Sequence, residues 1–326
     1  MSQPTRLQVH IDQALTNISV AFIQQASAFI ADKIFPVVPV QKQSDRYFVY
    51  DRGDWLRDEA MERAPATESA GGGYNIDNTP TYFARKFSYH KDITEEDRAN
   101  ADIPLNPDRD ATEFVTQKLL IRRERIWANF FAPGVWGTNL TGVTGTPAAG
   151  QVQQWNIGTS TPVRDIRSMK TQVLERTGLE PNVLVLGAAV YDQIAEHPMV
   201  VDKIKYTQKG VMTPDLLAGM LDIDRVIIAK AIVNTAARGA AANVGFVHGK
   251  HALLAHVATR PGLMTPTAGY TFAWTGLLGA GAFGNRITRI DMPWLGQGTE
   301  RIEGDMAFDM RVVAPDLGVF FQNVVA

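Results

Sequence analysis

Three glycines, Gly279, Gly281 and Gly284, have the GxGxxG spacing that in a dinucleotide-binding fold brings a pyrophosphate to the N-terminus of a helix. That chemistry needs a helix directly after the glycines, because its unpaired N–H groups and dipole hold the phosphates. The residues after Gly284 are NRITRIDMPW, which alternate like a strand and are broken by Pro293, so the spacing reads as coincidence. His248, His251 and His256 carry nitrogens that bind metals, but HxxH alone is a weak signal. Gly249 between strand-like segments marks a turn that aims the rings apart, and a structural role is expected. There is no GxSxG elbow and no GxxxxGK[ST] loop, the arrangements that serve nucleophilic catalysis and phosphate binding. Glu95, Glu96 and Asp97 suit the first turn of a helix better than a general acid/base pair. No catalytic constellation, metal site or cofactor is expected. A nucleotide-dependent α/β enzyme using the glycine-rich segment is the enzymatic alternative.

The chain has 326 residues, 45% hydrophobic and 20% charged, which is globular composition and enough for one large or two medium domains. Its 32 Lys and Arg against 34 Asp and Glu leave a net charge of -2, so no bulk attraction draws it to nucleic acid or an anionic membrane. The absence of cysteine excludes disulfides and thiolate metal sites. The start MSQPTRLQVHID lacks the basic and apolar blocks of a signal peptide, and an unsecreted protein is expected. The uncharged stretch 261–285 contains Pro261, Pro266 and several glycines, which suits buried strands and loops, not a spanning helix.

Elements must position whatever function remains. Ile11, Leu15, Ile18, Phe22, Ala26 and Phe29 recur at helical spacing until Pro36 and Pro39, predicting an amphipathic N-terminal helix whose apolar stripe packs on this chain or on a neighbouring molecule. Strand-like residues at 45–51 and again at 79–93 flank a segment rich in charge and glycine, predicting a long hairpin. Its middle carries Arg52, Asp54, Arg57, Asp58, Glu59, Glu62 and Arg63, then Gly71, Gly72 and Gly73. With so few apolar residues it cannot build its own core, and an isolated ribbon is marginal in water, so it must lie against something else. Asn106 as N-cap, Pro107 and Asp108 open a helix predicted to run to Phe131, where Pro133 and Gly134 stop it. Val115, Leu119, Ile126 and Phe130, extended by Leu120, Trp127 and Phe131, form its buried stripe. Lys118, Arg122, Arg123 and Arg125 form a basic face that is solvated, or meets a neighbour's hairpin carboxylates or DNA.

A Gly-, Thr- and Pro-rich loop over 134–160 precedes a helix from Pro162 to near Gly178. Strands at 182–186 and 225–229 alternate with helices at 188–196 and 214–221, and strands at 244–248, 252–259, 307–313 and 318–325 come after them. The class is α+β, with a mixed α/β second half.

An outreaching N-terminal segment, an extended hairpin, a long helix and a mixed body, in that order, resemble the coat proteins of tailed bacteriophages of the Hong Kong 97 type. The stretch 181–234, with its HP, KYTQKG and DLLA segments between two strands, and the ending APDLGVFFQNVV at 314–325 are similar to that family's axial domain and closing strand. The resemblance implies an arm over 1–44, a hairpin over 45–93, a peripheral domain over 94–165 and 300–326 with its spine helix at 107–131, and an axial domain over 166–299. It implies a major capsid protein that self-assembles into hexamers and pentamers of an icosahedral shell around double-stranded DNA, without sequence-specific binding, in the virion and assembled in the host cytoplasm. Arg52, Asp54, Arg57, Asp58, Glu59, Glu62, Arg63, Ile18, Phe22, Phe29, Lys118, Arg122 and Arg125 are then the candidate contacts between subunits. Between Lys42 and Lys86 there is no lysine, so the lysine-to-asparagine crosslink of some family members is not expected and the shell is non-covalent. The arm leads almost directly into the hairpin, which implies a separate scaffolding protein; portal and decoration proteins are further implied partners. An encapsulin-like nanocompartment, which shares the fold and encloses protein cargo, is the nearest alternative.

Overall fold

A computed structural model describes residues 23–101, 105–204, 212–262, 264–278 and 286–326. Two sheets organise these residues. The six-stranded sheet has the order Arg225–Ala229, Val183–Gly187, Ala252–Ala255, Gly318–Gln322, Thr138–Val143, Gln151–Gln153. It is mixed: Val183–Gly187 runs parallel to Arg225–Ala229 and antiparallel to Ala252–Ala255. The runs VLVLG and ALLA, without a polar residue in alternation, are explained by burial on both faces. Leu184, Leu186, Leu254, Val319 and Phe321 point into one core, while Val183, Val185, Leu253 and Phe320 point into the other.

The first core is covered by helices Pro162–Thr177, Ala188–Glu196 and Pro214–Leu221, through Val163, Ile166, Val173, Val190, Ile194, Leu217 and Leu221. Each boundary has a local cause. Gly178 ends the first of these helices with φ +73°, a conformation glycine adopts without steric cost. The Thr213 side chain caps the last by accepting the Leu216 N–H at 3.3 Å. The second core is aromatic: Phe35 stacks on Trp127 at 5.3 Å between ring centroids, and Trp127 packs against Phe131 at 5.1 Å.

The five-stranded sheet is built around the long strand Glu300–Val312. Arg85–Ile93 pairs along one edge, Gly269–Trp274 and Arg286–Asp291 share the other, and Val37–Val40 runs parallel to Gly269–Trp274. Pro39 is tolerated there because the strand lies at the sheet's edge. The long helix Pro107–Trp127 lies across this sheet. Asn106 caps it by accepting the Arg109 N–H at 3.1 Å. Gly304 permits the approach: a Cβ there would meet Val115 Cγ1 at 2.6 Å and Leu119 Cδ1 at 2.7 Å.

Most expected elements are present, but the expected loop 134–160 contains the strands Thr138–Val143 and Gln151–Gln153. The strands expected at 45–51, 307–313 and 318–325 are found as Ser44–Arg46 with Val49–Tyr50, Glu300–Val312 and Gly318–Gln322; further differences follow. The long helix is α-helical to Trp127 and 3-10 over Ala128–Phe130, where the ring cluster, not helical repetition, sets the chain path. Arg123 does not stand on a solvated basic face; it is buried at 5% exposure, with its guanidinium 3.5 Å from Asp32. The expected strand 79–93 splits at buried Ala84 into Thr81–Phe83 and Arg85–Ile93, because the second piece pairs with Glu300–Val312 instead of continuing the hairpin. The strands at 244–248 and 252–259 are shorter, Val244–Phe246 and Ala252–Ala255. The N-terminal helix falls largely on residues 1–22, outside the described residues. Its expected continuation to Phe29 is replaced by a 3-10 turn at Ala26–Ala28 and a separate turn of α-helix at Ala31–Ile34, and Phe29 is buried in this chain.

Candidate assembly surface

The hairpin is fixed at its base and open at its tip. Ser44–Arg46 pairs with Thr81–Phe83, and Val49–Tyr50 with Ile76–Asp77. Tyr82 stacks on Phe272 of the five-stranded sheet at 4.5 Å and Tyr47 stacks on it at 5.4 Å, so the ribbon borrows the body's core at its root. Beyond Tyr50 the chain makes one helical turn, Arg52–Trp55, capped by the Asp51 side chain, which accepts the Gly53 N–H at 3.1 Å. Residues 56–75 carry neither helix nor strand and are exposed.

Charge pairing holds the tip locally. Asp54 accepts from the Asn75 backbone N–H at 2.8 Å and from Arg57 at 3.1 Å, and Arg57 reaches Glu59 at 3.0 Å. The hydrogen bond to Glu59 holds the Arg57 guanidinium above its ordinary pKa. Arg52 pairs with Asp316 at 2.8 Å, tying the tip to the body turn Pro315–Leu317, and the Arg63 side chain donates to the Thr67 carbonyl. Asp58 and Glu62 are exposed. The structure therefore gathers Arg52, Asp54, Arg57 and Glu59 into one neighbourhood and satisfies them largely within the chain.

The sequence reading missed the apolar component of this surface. Phe48, Trp55, Leu56, Met61 and Tyr74 are more than half exposed, Met61 at 78%. Tyr50, Trp55 and Tyr74 form an exposed ring cluster with centroids 5.7–5.9 Å apart. Between the hairpin root and the body lies a cleft of about 1100 Å³ lined by Tyr50, Trp55, Leu56, Leu179, Tyr270 and Leu317 among others. The available signal was large apolar residues inside a segment too polar to fold on itself. On the long helix Lys118 and Arg122 lie over the rings of Phe114 and Phe87, at 5.1 and 5.3 Å, and Arg125 is exposed. Ile18 and Phe22 are outside the described residues.

Below the hairpin, the five-stranded sheet is crossed by ion pairs. Arg301 grips Asp92 on the paired strand through two bonds of 2.7 and 3.1 Å. Asp305, 1% exposed, receives Lys86 from one flanking strand and Arg286 from the other, both at 3.1 Å. Arg98 and Arg289 converge on Asp108 and Glu300. The bond from Arg301 holds the Asp92 carboxyl below its ordinary pKa, and the bond from Arg98 does the same for Asp108. For Asp305 burial pulls upward, but the bonds from Ser88, Lys86 and Arg286 outweigh it and the value is lowered.

The histidines take separate partners. His248 Nε2 lies 2.5 Å from Glu124 Oε1, His251 accepts the Asn323 N–H at 3.0 Å, and His256 Nδ1 lies 2.6 Å from the Glu180 carbonyl. Gly249, with φ +57°, makes the turn between the first two. Among the described residues no three ligating side chains gather to hold a metal, and no helix is long and apolar enough to cross a membrane. Gly279, Gly281 and Gly284 lie outside the described residues, as does the KYTQKG segment; the strand expected after the glycines is present as Arg286–Asp291.

No family model matches the chain. It is 28% identical over 324 residues to the major capsid protein of Pseudomonas phage JBD67, covering 97% of each chain. A phage-related protein from Bordetella bronchiseptica superimposes with a TM-score of 0.68 at 18% identity, over 92% of this chain and 94% of that one. The capsid structure of cyanophage P-SCSP1u superimposes with a TM-score of 0.63 at 12% identity, over 98% of each. The chain has the α+β fold of Hong Kong 97-type phage capsid proteins, as the sequence resemblance implied.

Proposed function

We propose that this chain is a phage major capsid protein whose copies assemble into the closed shell around a double-stranded DNA genome. The observation that carries this reading is the end-to-end match to a phage major capsid protein, 97% of both chains, together with the capsid fold. The role is structural. Its surface suits repeated self-contact: a hairpin held at its root presents exposed rings and short-range charge pairs beyond the body. Exposed ion pairs contribute about 0–1 kcal/mol each and set register, while repetition around a closed lattice supplies the net stability. Individually weak contacts also let misplaced subunits dissociate.

In this reading residues 1–44 act as the arm, 45–93 as the intersubunit hairpin, 94–165 with 300–326 as the peripheral domain and 166–299 as the axial domain. On the same reading the shell is non-covalent, since no lysine lies between Lys42 and Lys86. A separate scaffolding protein, a portal and decoration proteins are the partners it would use, with assembly in the host cytoplasm. Electron microscopy of the purified chain, with nuclease-protected nucleic acid measured on particles from infected cells, tests the reading. Closed icosahedral shells holding double-stranded DNA are expected. Shells carrying a co-purifying enzyme in place of DNA would identify a nanocompartment, and small soluble particles under every condition would overturn the shell role.

A further inference from the structure

One buried charged group has no part in the assembly surface. Glu124, in the last turns of the long helix, is fully buried, and so is its partner His248. Glu124 Oε2 accepts the backbone N–H groups of both Ile30 and Ala31 at 3.0 Å, while Oε1 meets His248 Nε2 at 2.5 Å. The next residue along the helix toward its start, Arg123, reaches Asp32 in the same N-terminal turn. Trp127 and Phe131 enclose the pair, their rings 6.1 and 4.9 Å from the His248 ring. A little upstream, the Gln24 amide brackets Ile232: its Nε2 donates to the Ile232 carbonyl at 2.8 Å and its Oε1 accepts the Ile232 N–H at 2.9 Å. Ile232–Asn234 is one strand of a two-stranded ribbon with Val244–Phe246, so the Gln24 side chain occupies a place that a third strand would take.

A carboxylate in apolar surroundings is tolerated only when its partners are all in place, and loss of one partner leaves an uncompensated buried charge. We infer that Glu124 is the latch that fixes residues 24–31 on the body, and that through this segment it couples the long helix to the ribbon at Ile232. His248 closes the third side, so the carboxylate is satisfied in one position of the segment and not in others. If the shell reading holds, the latch determines which neighbouring subunit the arm can reach; the latch itself exists in the unassembled chain and is tested there.

Amide hydrogen exchange on the soluble, unassembled protein reads it directly. In Glu124→Leu, which keeps the bulk and removes both acceptors, the Ile30, Ala31 and Ile232 amides should exchange about 100-fold faster, from the loss of two charge-assisted bonds. The amides of Val183–Gly187 should stay at the wild-type rate. Glu124→Gln, which keeps one carbonyl acceptor, should restore most of the protection, and it decides the matter if the leucine variant does not fold, with about 10-fold acceleration at the same three amides. Trypsin should cut after Lys33 in the leucine variant and not in the wild type. Wild-type exchange at Ile30 and Ala31 in a folded variant, or movement at those two with none at Ile232, overturns the inference. Failure of the wild type to form shells would count against the assembly reading and leave these rates untouched.

Discussion

Val183–Gly187 buries all five of its residues, whereas Phe48, Trp55, Leu56 and Met61 of the hairpin stand in water within the same chain. Both segments contain large apolar side chains. What differs is the supply of covering elements: the strand has neighbours on both edges and a core on each face, while the hairpin tip meets the body only along an open cleft and through the Arg52–Asp316 pair. Apolar content does not settle burial, then; the number of elements that can be brought against a segment does. The consequence is a division of labour in which the sheets determine whether the chain folds and the hairpin determines what the folded chain touches.

Substitutions can break that division. The largest effect on stability is expected for Leu184→Ala, about 2–5 kcal/mol from lost burial and the cavity left in the first core, read as a shift in the urea midpoint; a loss near zero would mean the core collapses around the gap. Gly304→Val should cost about 1–3 kcal/mol by pushing Val115 and Leu119 off the sheet, visible in near-UV circular dichroism as a changed environment for Trp127. Acid should act next and selectively. Asp92, Asp108 and Asp305 have folded values lowered from 3.8, so their stabilisation is fully present above 3.8 and is lost as pH falls from there through the lowered values. Exchange of the Glu300–Val312 amides should rise over that window, and Asp92→Asn should flatten the rise.

The hairpin substitutions run the other way. Trp55→Ala and Leu56→Ala should change folding stability by no more than about 0.5 kcal/mol, yet reduce shell yield severalfold by negative-stain counting. Replacing Arg52, Arg57 and Arg63 together by alanine removes exposed contacts to Asp316, Asp54, Glu59 and the Thr67 carbonyl, which add little to stability, and should leave a folded subunit that assembles poorly. Shells at normal yield from either variant would move the assembly contacts away from the hairpin.

Much of this was legible in local pattern. Asn106, Pro107 and Asp108 marked the start of the long helix because capping is chemistry within one turn. NVLVL announced a buried strand because no polar residue alternates with the apolar ones, and RVIIA announced a second strand, which lies half-buried at the edge of the six-stranded sheet. The hairpin was recognisable as a ribbon unable to cover itself. Arg123 shows where such reading stops. Its neighbours in sequence placed it on a basic face, and only the arrival of Asp32 from a distant segment explains its burial.

The same holds for Glu124 and His248, 124 positions apart, and for Arg85–Ile93, whose alternation fitted a hairpin strand equally well until Glu300–Val312 competed for its edge. The amino-acid sequence by itself determined the α+β class, the capped long helix, the exposed hairpin and the absence of thiol chemistry, since each depends on residues near one another along the chain. The split of the expected strand 79–93 at Ala84, the burial of Arg123 and the three-way contact at Glu124 were decided only by the tertiary structure, because pairing between segments distant along the chain depends on which edge or carboxylate becomes available when the two sheets close.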